Sequence, residues 1–169
     1  RPRTAATTDF FVDETEGRGI DFRFRCGRSG KRWMPEQLGG GAAFFDADGD
    51  GDLDLLLVNG GPLPGSDDPA PNALYLNDGD GRFTAVPNAG GLDGGRDYGV
   101  GCAVADVDAD GDIDVFIANW GPDRLYLNDG HGKFTDVTQK SGIADGDWGA
   151  SAAFGDVDGD GLADLYVTN

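Results

Sequence analysis

Three times the chain lays down the same acidic loop, and no other feature limits its fold and chemistry as much. The copies are Asp46-Ala-Asp48-Gly-Asp50-Gly-Asp52-Leu-Asp54, Asp106-Val-Asp108-Ala-Asp110-Gly-Asp112-Ile-Asp114 and Asp156-Val-Asp158-Gly-Asp160-Gly-Leu162-Ala-Asp164. Carboxylates packed this densely repel one another unless a cation lies among them. Oxygen ligands at alternate positions around a glycine turn suit Ca²⁺, a hard cation with six to eight oxygen ligands. The bland alternative is a solvated acidic turn without metal. Three copies at regular spacing argue against it.

The loop resembles an EF-hand loop at its start and departs from it at its end. Positions 1, 3 and 5 are Asp and position 6 is Gly, but the twelfth position is Leu57, Ile117 or Val167 instead of a bidentate Glu. A β-prone run follows each loop, where an EF-hand has a helix. The last acid falls at position 9, as Asp54, Asp114 and Asp164. Position 7 is Asp52, Asp112 and then Leu162, so its side chain is dispensable and a backbone carbonyl is the ligand expected there. The sequence therefore predicts three Ca²⁺ sites, each with side-chain ligands at positions 1, 3, 5 and 9 and a carbonyl at position 7.

The repeat is larger than the loop. A small-residue stretch precedes each copy, and Leu74-Tyr-Leu-Asn-Asp-Gly is matched by Leu125-Tyr-Leu-Asn-Asp-Gly. Asn-Asp-Gly between β-prone runs signals a hairpin. Each unit thus reads as four short strands: a Gly-rich one, the acidic loop, an apolar one, a connection and a closing hairpin. The loops start 60 and then 50 residues apart, the extra length coming from Gly60–Asn72. Four strands at a period near 50 predict an all-β fold of propeller blades. Small residues suit an innermost strand crowded around a central axis.

These phrases resemble FG-GAP/VCBS repeats, the blades of integrin-α-like propellers. The wording of Gly39–Asp54, of the two Leu-Tyr-Leu-Asn-Asp-Gly hairpins and of Phe134–Ile143 is closest to the cartilage-acidic-protein and ASPIC/UnbV group. The resemblance covers nearly the whole chain and implies a β-propeller with calcium loops between first and second strands. It implies little about biological role, because such repeats serve adhesion, scaffolding and enzymes alike.

On this reading residues 1–169 are one incomplete propeller region. Residues 38–87 form a first blade, 98–138 a second and 148–169 half of a third. Residues 10–20 echo 134–143 and are expected to form the outer strand of a closing blade. That count falls short of a closed ring. It leaves Leu165 and Val167 without hairpin neighbours, so a partner chain or further sequence is expected at the open edges.

The formal net charge is −18, and the three loops hold 14 of the aspartates. Much of the acidity is therefore site chemistry, and the sign argues against a nucleic-acid partner. No apolar stretch is long enough to span a bilayer. No signal-peptide pattern opens the chain, so a secreted form is expected to be the mature one. Loops of this kind in extracellular modules bind Ca²⁺ at roughly 10⁻⁴–10⁻³ M, which places the protein in an extracellular or periplasmic setting. Cys102 aligns with Ala42 and Ala152 and reads as a small buried thiol; a disulfide to Cys26 is the alternative.

Residues 18–32 hold six of the thirteen basic residues, and Ile20–Cys26 alternates apolar and polar as a half-buried strand would. That segment is either a docking patch for an acidic protein or anionic glycan, or a solvated face paired with the chain's own carboxylates. No catalytic constellation emerges. His131, the single histidine, sits at a hairpin tip, and Ser66, Ser141 and Ser151 have no histidine partner in any motif. Trp148 aligns with Leu38 and Tyr98 as a packing residue, while Trp33 and Trp120 are open to sugar stacking. The expected function is a non-catalytic, calcium-stabilised binding or scaffold module. The alternatives are the propeller portion of a Ca²⁺-dependent carbohydrate-active enzyme, or a subunit of a large extracytoplasmic or membrane-associated assembly.

Overall fold

A computed structural model describes residues 11–28, 30–64, 70–143 and 148–169. Ser66, the middle of the Gly60–Asn72 connection and the first residues of the chain lie outside them. The described part is a partial β-propeller of antiparallel sheets. The first sheet orders β1 (Gly41–Phe45), β2 (Asp54–Val58), β3 (Ala73–Asn77) and β4 (Phe83–Ala85); the second orders β5 (Gly99–Ala105), β6 (Asp114–Asn119), β7 (Arg124–Asn128) and β8 (Phe134–Asp136). The third pairs β9 (Ser151–Gly155) with β10 (Asp164–Thr168). In all three the acidic loop joins the first strand to the second, with Phe45 opposite Asp54, Ala105 opposite Asp114 and Gly155 opposite Asp164.

The sheets stack face to face, and this explains the apolar runs. Leu56, Val58 and Leu74 of the first sheet bury against Val115, Ile117 and Tyr126 of the second, with Phe45 edge-on to Phe134 at 6.2 Å. The second sheet's other face, Phe116, Ala118 and Leu125, meets Phe154, Leu165 and Val167 of the third. A strand covered on both faces has no solvent side, so Val115–Ala118 is apolar without alternation. Burying a side chain the size of Phe116 contributes about 1.5–3 kcal/mol. β10 is covered on one face only and alternates: Leu165 and Val167 point inward, and Tyr166 is 72% exposed. No hairpin strands stand beside β10 among the described residues, and the preceding blade covers the inward face of Leu165 and Val167 instead.

The first strands lie side by side, β5 between β1 and β9. A Cβ at Gly41 would stand 3.1 Å from the Cys102 nitrogen, so the close approach of β1 and β5 requires small residues there. Cys102 occupies such a position. Burial pushes its thiol up to about 11, and both cysteines are free.

Two expectations about the leading segment are corrected. Residues 11–20 form no strand; their ordered element is a 3-10 turn, Glu16–Arg18. The echo of 134–143 survives in local geometry: Thr15 N–H donates to the Asp13 carboxylate as Thr138 N–H does to Asp136, and Gly19 and Gly142 both end their turns left-handed. Gly19 packs on the Phe83 carbonyl as Gly91 packs on that of Phe134. The segment therefore sits against the first blade as the end of the first blade sits against the second. Residues 20–26 also form no strand, and Phe24 is 46% exposed. They run as an irregular strap held by side chains: Asp21 accepts from the Tyr75 hydroxyl, and Asn59 accepts from Arg25 N–H.

Candidate metal centres

Each acidic loop is a nest of carboxylates folded by its own backbone. The position-1 carboxylate accepts from two loop N–H groups: Gly49 and Gly51 for Asp46, Asp110 and Gly111 for Asp106, Gly159 and Gly161 for Asp156. Position 5 accepts from the N–H two residues on, Asp50 from Asp52, Asp110 from Asp112 and Asp160 from Leu162, at 2.8–2.9 Å. These bonds turn the chain so that carboxylates converge. Ligand oxygens of Asp46, Asp48 and Asp50 lie within 4.8 Å of one another, as do those of Asp106, Asp108 and Asp114, and of Asp156, Asp158 and Asp164.

Electrostatics in the clusters are unfavourable without a cation. Burial, followed by the charge on Asp50, pushes Asp48 above its ordinary value. Burial does the same to Asp54 and Asp114, reinforced by Asp48 and Asp50 in one loop and by Asp108 and Asp110 in the other. The oxygen-only donor set, its anionic charge and its convergence fit a hard divalent cation. Asp46, Asp48 and Asp50 in the first loop, Asp106, Asp108 and Asp114 in the second, and Asp156, Asp158 and Asp164 in the third are the residues that could hold one.

Two stretches of the chain, 46–117 and 106–167, match the family model for FG-GAP-like repeats, together more than two thirds of its length. The chain belongs to the FG-GAP-like repeat family. Among curated relatives, it is 44% identical over 71 residues to human cartilage acidic protein 1, a stretch covering 40% of this chain and 11% of that protein. Against cartilage acidic protein 1 of Xenopus tropicalis it is 41% identical over 75 residues, 41% of this chain and 12% of that protein. The mouse protein is 42% identical over 71 residues. The match thus takes in a small part of each relative's length.

Within these FG-GAP-like repeats, position 7 lies apart from the clusters. The Asp52 and Asp112 carboxylates pack against the hairpin glycines of their own blades; a Cβ at Gly79 would stand 2.7 Å from Asp52 Oδ2, and one at Gly130 2.6 Å from Asp112 Oδ2. Position 9 has a second task that spacing alone does not reveal. Asp54 and Asp114 are 0% and 1% exposed, and each accepts N–H from position 2 of its loop and from the last residue of the third strand: Ala47 and Asn77, or Val107 and Asn128. Asp164 accepts from Val157 in the same way.

Sequence reasoning missed the hairpin asparagines as well. Asn77 Nδ2 donates to the Leu53 carbonyl and Asn128 Nδ2 to that of Ile113, both at position 8 of a loop. Asn128 also donates to the Ala47 carbonyl, which Gly132 N–H reaches at 2.8 Å, so the second blade's hairpin holds the first blade's loop. The signal in the sequence is the recurrence of Asn in Leu-Tyr-Leu-Asn-Asp-Gly, which turn chemistry alone does not account for. His131 lies exposed at that hairpin's tip. Trp120 stacks edge-on against Tyr98 at 6.3 Å and bridges to Trp148.

Proposed function

We propose that the chain is a calcium-stabilised, extracytoplasmic β-propeller module that binds or scaffolds a protein or glycan partner. The observation that carries this reading is the convergence of three carboxylates in each of three loops, backed in the first two by burial and like charge that a bound Ca²⁺ would relieve. The ligands proposed are positions 1, 3, 5 and 9 and the position-7 carbonyl, one Ca²⁺ per loop. Asp52 and Asp112 turning to the hairpin glycines is consistent with a backbone ligand at that position. Bound metal would neutralise the clusters and stiffen one rim of each blade, where first and second strands join. The blades proposed are 38–87, 98–138 and the half blade 148–169, with the outward face around Tyr166 covered by a partner chain or further sequence. No helix among the described residues is long and apolar enough to cross a membrane. An extracellular or periplasmic setting follows from the weak binding expected of such loops, since roughly 10⁻⁴–10⁻³ M sites fill only outside the cytosol.

The test is a calcium titration by calorimetry on dialysed protein, with melting temperature followed in parallel. Three ions per chain are expected, and at ten times Kd each site adds about 1.4 kcal/mol of stability. Unchanged melting on metal removal would sink the proposal.

A further inference from the structure

On the rim opposite the acidic loops the chain assembles a patch of the opposite character. β1 runs from this rim to the first loop, and its five residues span about 17 Å. Tyr98, at the start of the second blade, gathers the patch: its hydroxyl donates to the Pro35 carbonyl at 2.5 Å, with the Cys26 and Leu38 carbonyls each 3.3 Å away. That anchor brings residues 24–28 against 33–38. The Phe24 ring lies over Gly40, where a Cβ would stand 3.0 Å from it. Phe24, Trp33, Met34 and Leu38 are 46%, 41%, 63% and 44% exposed. Beside them Arg28 and Arg32 line a depression of about 320 Å³ with Gly30, Gln37 and one carboxylate, Glu36, so arginines outnumber acids there two to one. Arg32 is held at φ +56°, a left-handed conformation that is strained for a non-glycine residue and persists where the surroundings fix it.

Grouped exposure of large apolar side chains marks an interaction surface. We propose that this rim docks an acidic segment of a partner protein that carries apolar side chains among its carboxylates. Arg28 and Arg32 supply the countercharge. The chain's own acidic rim lies beyond the Debye length, about 8 Å at physiological salt, and is screened from the patch. A polysaccharide would satisfy the arginines and stack on Trp33, but it has no aliphatic side chain to cover Met34 and Leu38. The proposal rests on the binding-module reading and adds the partner's chemistry to it.

The test titrates the Ca²⁺-loaded chain into a short fluorescein-labelled peptide of glutamates interrupted by two leucines, followed by anisotropy. A peptide with serines for the leucines and a heparin oligosaccharide serve as competitors. The leucine peptide is expected to bind about tenfold tighter than the serine peptide, a difference of about 1.4 kcal/mol. Arg28→Ser combined with Arg32→Ser abolishes binding, and Met34→Ser removes the leucine preference. Equal binding of the two peptides, no binding, or heparin binding indifferent to Met34→Ser overturns the proposal. The calcium-dependent melting shift is measured on the same samples. A shift without peptide binding overturns this docking surface and leaves the calcium reading standing.

Discussion

The aspartates of one loop do different work, and substitution separates them. Asp48 accepts one long backbone bond, 3.3 Å from Asp50 N–H, and is otherwise a cluster carboxylate, so Asp48→Ala and Asp108→Ala are expected to abolish calcium affinity while leaving metal-free stability nearly unchanged. Asp54→Ala strips the acceptor from one buried and one half-buried N–H group. It should cost about 2–3 kcal/mol even without metal, read by urea unfolding of dialysed protein. Asp52→Ala should be mild in both assays, as Leu162 already implies; equal loss of affinity for Asp52→Ala and Asp48→Ala would overturn the ligand assignment. Position 4 supplies a separate test. Gly49, Ala109 and Gly159 all adopt positive φ, at 78°, 61° and 82°, and only Ala109 carries a Cβ there. The glycines donate N–H to the position-1 carboxylate, whereas in the second loop Asp110 makes that bond at 3.2 Å. Ala109→Gly is therefore expected to stabilise the protein by about 1 kcal/mol, checked by thermal melting.

At the scale of elements, the hairpin between third and fourth strands is the clamp on the loops. Asn128 touches two of them, through the Ala47 carbonyl of the first and the Ile113 carbonyl of the second, and Asn77 touches only the first. Asn128→Ala removes no proposed metal ligand, yet it should weaken two of three calcium sites together and spare the third. Calorimetry that resolves three independent, unaltered sites would refute the coupling. Those hairpins were legible in the sequence, because Asn-Asp-Gly specifies a turn by local chemistry. The acidic loops, the small first strands and the apolar second strands were legible for the same reason: each repeats. What was not legible depends on contacts distant in sequence. Ile20–Cys26 alternates like a strand, but Asn59 and Tyr75 hold that stretch by side-chain bonds, and among the described residues no neighbouring strand offers a ladder. The double role of Asp54 is hidden likewise, since Asn77 lies 23 residues away.

Across the whole molecule, the three loops stand on one rim of stacked sheets, and their charge makes calcium stabilisation depend on pH. The folded-state pKa values of Asp48, Asp54 and Asp114 are raised above 3.8, chiefly by burial. For a carboxylate raised in this way, the penalty of charging it in the fold is complete above the folded pKa and absent below the unfolded one. Metal-free protein therefore gains stability from these groups as pH falls through their folded values. Bound calcium requires the same groups deprotonated, so calcium-loaded protein loses its added stability over that window. Carboxylates held below their ordinary value, such as Asp13 and Asp78, act equally with and without metal and cancel in the difference. The melting temperatures of calcium-loaded and dialysed protein should thus differ most near neutrality and converge on acidification. Parallel melting series in matched buffers measure that gap directly. A gap that stays constant down to 3.8 would mean that the buried aspartates do not hold the ion.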